Sequence, residues 1–159
     1  MKQGLSCLLM LLVFASVAGG AESKNEAPSQ EERCPVCGMF VAPFVEWNTE
    51  IRFADATRAV FDGPKDLFKY YLDLKKYNLL KTRIDVTAIA VKDYYTKSAI
   101  DGRKAFFVIW GDVYGPMGNE PVPFEKEADA QRFLQEHKGR KILRFKDITP
   151  KLIHALDNP

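Results

Sequence analysis

The sequence predicts an α+β domain made of two successive ββαβ units, and three observations carry that reading. Two runs share the order strand, strand, helix, strand. Each helix is preceded by an aromatic–acid pair, Phe61-Asp62 and Phe124-Glu125. The strands themselves are short, apolar or alternating, and bounded by turn residues.

The N-terminal segment stands outside these units. Lys2 supplies a positive start, Leu5 to Val17 is almost wholly apolar, and Ala18, Gly19, Gly20 and Ala21 are small, the pattern of a cleaved secretory signal over residues 1–21. The apolar run is shorter than the roughly 20 residues that cross a bilayer, so export to the periplasm is expected, without stable membrane insertion. Most of the apolar run follows Cys7 instead of preceding it, which argues against a lipid anchor. Residues 22–33 are polar and acidic and read as a flexible leader. The domain is expected over residues 34–159.

Within the first unit, Glu50 to Ala54 and Arg58 to Asp62 read as a hairpin around Ala54-Asp55-Ala56. Asp62 is the expected N-cap of a helix running to about Tyr77, with Pro64 in its first turn. Leu67, Phe68, Tyr71, Leu72 and Leu74 form its apolar stripe. Lys65, Asp66, Lys69, Asp73, Lys75 and Lys76 are expected on its solvated side. Ile84 to Val91, rich in β-branched residues, reads as a strand with little exposure. The second unit comprises a strand at Lys104 to Gly111, an extended piece at Glu120 to Phe124, a helix from Lys126 to His137 and a strand at Lys141 to Phe145. Gly139 is expected to take the left-handed conformation after that helix. A short helix at Pro150 to Leu156 closes the chain.

Charge excludes one class of partner. With 23 Lys plus Arg against 21 Asp plus Glu, there is no basic excess to neutralise a nucleic acid. Cysteine usage is more informative. The chain has three cysteines, and removal of the signal leaves Cys34 and Cys37 in one tetrapeptide. A disulfide there would close a tiny loop and constrain little of the unfolded chain, so reactivity or metal binding better explains the pair.

Cys34-Pro35-Val36-Cys37-Gly38-Met39 has the form of a metal knuckle: Pro35 stiffens the turn, Gly38 lets the backbone fold under an ion, and two thiolates converge. A closed zinc site of the usual kind needs a second pair of Cys or His ligands, and His137 and His154 lie far apart in expected helices. A thioredoxin-like dithiol needs a strand before the motif and a helix starting at it; here a polar leader precedes and Gly38 and Pro43 follow. Met117 lies in Tyr114-Gly115-Pro116-Met117-Gly118-Asn119-Glu120-Pro121, too rich in Gly and Pro for a core element. Thiolates and thioethers together select Cu(I). Cys34, Cys37, Met117 and Met39 are therefore the candidate metal ligands, with packing beside Phe40 and Val41 the alternative for Met39. Nothing in the sequence groups an acid and a base as an enzyme would. A thiol oxidoreductase and a structural metal or interaction domain are the alternatives to a copper carrier.

The segments Cys34 to Val41, Phe61-Asp62-Gly63 and Asp112 to Phe124 resemble the NosL family, the nitrous oxide reductase accessory proteins. The resemblance implies a periplasmic Cu(I) metallochaperone that serves nitrous oxide reductase. It also implies a fold of paired ββαβ units shared with organomercurial lyase. Two departures stand out. Many members carry a lipidated cysteine at the end of the signal, which this chain lacks. Some members place a histidine after the loop methionine, where this chain has Gly118.

Overall fold

In the computed structural model, residues 27–158 are described; the expected signal peptide and the start of the leader lie outside them. Strands β1 (Thr49–Phe53) and β2 (Arg58–Phe61) form the expected hairpin, with Thr49 opposite Phe61 and Ala56 in a left-handed conformation at the turn. After the helical segment, β3 (Val86–Lys92) returns antiparallel on the other side of β1. The edge strand β4 (Ala99–Asp101), which lacks a distinct sequence pattern, completes a sheet of order β2-β1-β3-β4.

The second unit repeats that plan. Its first strand, β5 (Phe106–Ile109), is central, with β8 (Val122–Phe124) on one side and β9 (Lys141–Arg144), which follows the helix, on the other. Every pairing is antiparallel. Pro123 is tolerated because β8 is an edge strand, where a missing N–H can face away from the ladder. A small hairpin, β6 (Tyr114–Gly115) with β7 (Gly118–Asn119), is inserted before β8 and carries Met117 at its tip. The two ββαβ units expected from the sequence are present.

Local chemistry shifted several element boundaries. The first helix is broken: α1 (Pro64–Leu72) stops at Asp73, whose side chain accepts the Lys76 N–H and starts the single turn α2 (Leu74–Tyr77). The third strand starts two residues later than expected, because Thr82 and Asp85 form a reciprocal cap that winds Arg83–Asp85 into a 3₁₀ turn. Ile84 is consequently 92% exposed, and Thr87 and Ala88 also face solvent. Helix α3 (Glu127–Glu136) ends with Lys138, not Gly139, in the left-handed region. Gly139 is needed for space: a Cβ there would lie 2.5 Å from Val108 Cγ1 and 3.1 Å from Leu134 Cα.

A core of Ile51, Phe61, Leu67, Phe68, Phe107 and Leu156 spans both units. The rings of Phe68 on α1 and Phe107 on β5 meet edge-on at 5.2 Å and join them. A smaller cluster under α3 includes Val108, Phe124 and Phe133. Helix α4 (Pro150–Asp157), capped by the Thr149 hydroxyl, packs on α1 through Ile153 and Leu156. Among the described residues, no helix is long and apolar enough to cross a membrane.

At the end of the expected leader, Glu32 pairs with Arg58 at 2.8 Å and Arg33 bridges to Phe40. These contacts tie the segment just before Cys34 to β2 and to the far side of the knuckle.

Candidate metal centre

The knuckle is a closed turn. The Cys34 N–H donates to the Met39 carbonyl at 2.8 Å and the Gly38 N–H to the Cys34 carbonyl at 2.9 Å. Gly38 sits at φ 80°, where a side chain would strain the turn. Arg33 donates to the Gly38 carbonyl from outside. Both cysteines are free thiols, Cys34 only 1% exposed and Cys37 half-buried.

Opposite the knuckle stands the start of α1. Asp62 was the expected N-cap, but Gly63 occupies that position and no side chain on it caps the helix. The Asp62 carboxylate turns to the cysteines: Cys37 Sγ lies 3.6 Å from both of its oxygens. Asp66, one helical turn on, receives the Cys34 thiol at 3.4 Å. The four donor atoms, two sulfurs and two carboxylate oxygens, all lie within 4.8 Å of one another. Expectation and structure part company here, since Lys65 and Asp66 were placed on a solvated face and are 1% and 0% exposed.

Burial dominates the electrostatics of the quartet. Loss of hydration pushes the Cys37 thiol up to about 11, with the Asp66 and Asp62 carboxylates adding to the rise. Cys34, more deeply buried and also facing Asp62, is raised further. Desolvation likewise raises Asp62 above the ordinary carboxylate range, opposed by its thiol partners. Asp66 Oδ1 is buried without a hydrogen-bond partner; the Lys69 ammonium lies 3.5 Å from it.

The 112–124 segment reaches this site through Glu120. Fully buried, its carboxylate accepts the Lys65 N–H at 2.6 Å and the Met117 N–H at 3.2 Å, so it caps α1 from the other unit. Gly63 and Gly115 both leave room for it: a Cβ at either would collide with the Glu120 side chain. Burial pushes the Glu120 carboxyl up to about 8, against the lowering influence of those two N–H groups and of Lys65. Lys65 in turn donates to the Met117 carbonyl and pairs with Asp157 at 2.9 Å.

This bracing sets Met117 on the wall of an open cleft that is also lined by Cys37, Asp66, Tyr77 and His154. Of the four residues singled out in the sequence, Cys34 and Cys37 converge in the quartet and Met117 shares the cleft with Cys37. Met39 is half-buried, does not line the cleft, and contributes its carbonyl to the knuckle. Sequence reasoning missed Asp62 and Asp66 as site residues. Their signal was present: two acids four residues apart put both carboxylates on one face of a helix start.

Fold and site together define a two-unit α+β protein with a cysteine–carboxylate donor cluster of metal-ligating type at the seam between the units. The chain belongs to the NosL family, whose model matches residues 25–153. Its fold is similar to the crystal structure of the copper chaperone NosL from Shewanella denitrificans, with a TM-score of 0.66 and 25% identity over 79% of this chain and 96% of that one. The solution structure of apo-NosL from Achromobacter cycloclastes aligns with a TM-score of 0.47 and 22% identity, over 66% of this chain and 87% of that one. A comparison with curated proteins finds no match.

Proposed function

We propose that this chain is a periplasmic, non-catalytic carrier that binds Cu(I) through Cys34, Cys37 and Met117 and delivers it to a copper enzyme, nitrous oxide reductase. The observation that carries the reading is that a residue with a free thiol, Cys37, and a thioether residue, Met117, line the same open cleft, with the second thiol, Cys34, buried beside Cys37. Soft donors of these two kinds favour Cu(I) over hard cations. A neutral thioether is the weaker ligand, so an acceptor can displace Met117 while the cysteines still hold the ion.

The similarity to a copper chaperone supports the cargo, and the signal-like N-terminus supports the compartment. The dithiol is poorly suited to the oxidoreductase alternative. Attack on a disulfide requires a thiolate near neutral pH, whereas burial raises both of these thiols. A metal ion, by contrast, drives off the protons as it binds.

The delivery role is tested by deleting the gene in its host and measuring the copper content of purified nitrous oxide reductase under copper limitation. A copper-deficient reductase, restored by the wild-type gene and not by a Cys34→Ser, Cys37→Ser version, is expected. A fully metallated reductase in the deletion strain rejects delivery to that enzyme.

A further inference from the structure

Away from the metal cleft, four cations gather on one face without carboxylate partners. Arg103, Arg144 and Lys146 line an open cleft together with Tyr71 and Phe145, whose rings meet edge-on at 5.1 Å. The Arg83 guanidinium stands 5.2 Å from the centre of the Tyr71 ring. Among the described residues, none of these four side chains forms an ion pair. The neighbouring acids are engaged locally: Asp101 accepts the Arg103 N–H at 3.0 Å and pairs with Lys104, Asp147 accepts the Arg144 N–H at 3.0 Å, and Asp85 closes the Thr82 cap. The formal charge of the whole chain is only +2, so this is a local concentration of charge. Cations held together without counter-charge repel one another, a cost that a bound anion removes.

Two of the four are fixed by backbone carbonyls. Arg103 Nη2 donates to the Val86 carbonyl at 2.8 Å and Arg83 Nη2 to the Leu72 carbonyl at 2.9 Å. Each guanidinium keeps further N–H groups for an anion. The same contacts join the cleft to the loop that precedes β3, because Ile84 follows Arg83 and lies two residues before Val86. On that loop Leu79, Leu80 and Ile84 are 86%, 90% and 92% exposed. Hydrogen bonds hold the loop in shape: the Asn78 side chain accepts the Leu80 N–H at 3.2 Å, and the Thr82 hydroxyl donates to Asp85 at 2.9 Å.

We propose that this face docks on an anionic phospholipid surface, with headgroup phosphates between Arg103, Arg144 and Lys146 and with Leu79, Leu80 and Ile84 entering the boundary of headgroups and acyl chains. Aliphatic side chains flanked by basic ones are the composition of an interfacial anchor. Protein interfaces pack as closely as protein interiors. Side chains standing this clear of their own domain suit instead a medium that yields around them. No helix among the described residues crosses a membrane, so the contact is peripheral. None of these seven residues lines the metal cleft, and the inference does not depend on the copper reading.

The test takes the exported protein recovered from its host and measures co-sedimentation with vesicles of phosphatidylglycerol mixed with phosphatidylcholine, and with vesicles of phosphatidylcholine alone. Binding to the anionic vesicles is expected, falling steeply as salt is raised. Arg103→Gln combined with Lys146→Gln should weaken it about twentyfold, since each basic residue at an anionic surface contributes about fivefold. Arg103→Lys, which keeps the charge, should stay within about threefold of the wild type. Leu79→Ser combined with Leu80→Ser should weaken it about tenfold or more. Every variant keeps the N-terminus of the wild type, so the differences report this face alone. Circular dichroism checks folding, and the wild-type salt dependence decides independently if a variant is misfolded. No binding, equal binding to both kinds of vesicle, or variants that bind like the wild type overturn the proposal. Inorganic phosphate that displaces the protein at concentrations too low to act by screening assigns the cleft to a free anion and overturns it too. Wild-type protein that ignores vesicles but binds polyglutamate assigns the face to an acidic protein, with the same consequence.

Discussion

Glu120→Gln probes the joint between the two units, because Glu120 is the residue by which the 112–124 segment caps α1. Its carboxyl titrates near 4.5 when hydrated and is pushed up to about 8 in the fold. Between those values the folded chain holds a proton that the unfolded chain has released. The stabilising effect of the neutral carboxyl is therefore fully present below about pH 4.5 and is lost as pH rises to about 8, at a slope approaching 1.4 kcal/mol per unit. Across that window the loss amounts to a few kcal/mol.

Glutamine fills the same space and does not titrate, so the variant lacks this slope. Its carbonyl can accept only one of the two N–H groups, while its amide NH₂ faces the other, at a cost of about 1–3 kcal/mol. Urea unfolding of both proteins should thus show the variant less stable by about that amount near pH 5, with the gap closing or reversing near pH 9. Taking the difference between the two proteins cancels the titrating groups that do not interact with Glu120. A gap that stays constant with pH would refute the argument, because it would mean that Glu120 does not change protonation between the folded and unfolded chains in this window.

Copper affinity carries its own pH signature. Both thiols are protonated near neutrality and must lose their protons to the metal, so Cu(I) binding should strengthen by up to about a hundredfold per pH unit between about pH 6 and 8, and a flat profile in chelator competition would contradict the assignment. Met117→Leu should weaken Cu(I) binding without altering the urea midpoint, whereas an unchanged affinity removes the loop from the copper site. Gly139→Ala should cost about 1–3 kcal/mol, since its Cβ meets Val108 and the Leu134 backbone. Lys138→Gly should be neutral or stabilising, because it relieves the left-handed backbone. The opposite pattern in urea unfolding would return the helix-ending role to Gly139.

Patterns local in the chain were legible in the sequence. The hairpin read at Glu50 to Ala54 and Arg58 to Asp62 around its turn residues, and the paired order of strands and helices, follow from local backbone preferences, so the two ββαβ units could be read before any packing was known. The knuckle was equally local, since Pro35 and Gly38 act on the backbone between the two cysteines they bring together. The polar residues of α1 were another matter. A helical stripe of Lys and Asp has the same periodicity whether it faces water or a buried site, and only the docking of the knuckle and of the Glu120 loop onto the start of α1 decided that Lys65 and Asp66 lie inside. Tertiary structure likewise turned Asp62 from cap to site residue: Glu120 satisfies the helix N–H from a distant segment, which leaves the Asp62 carboxylate to the sulfurs. The candidate metal centre, assembled from residues far apart in sequence, is a product of that long-range competition for partners.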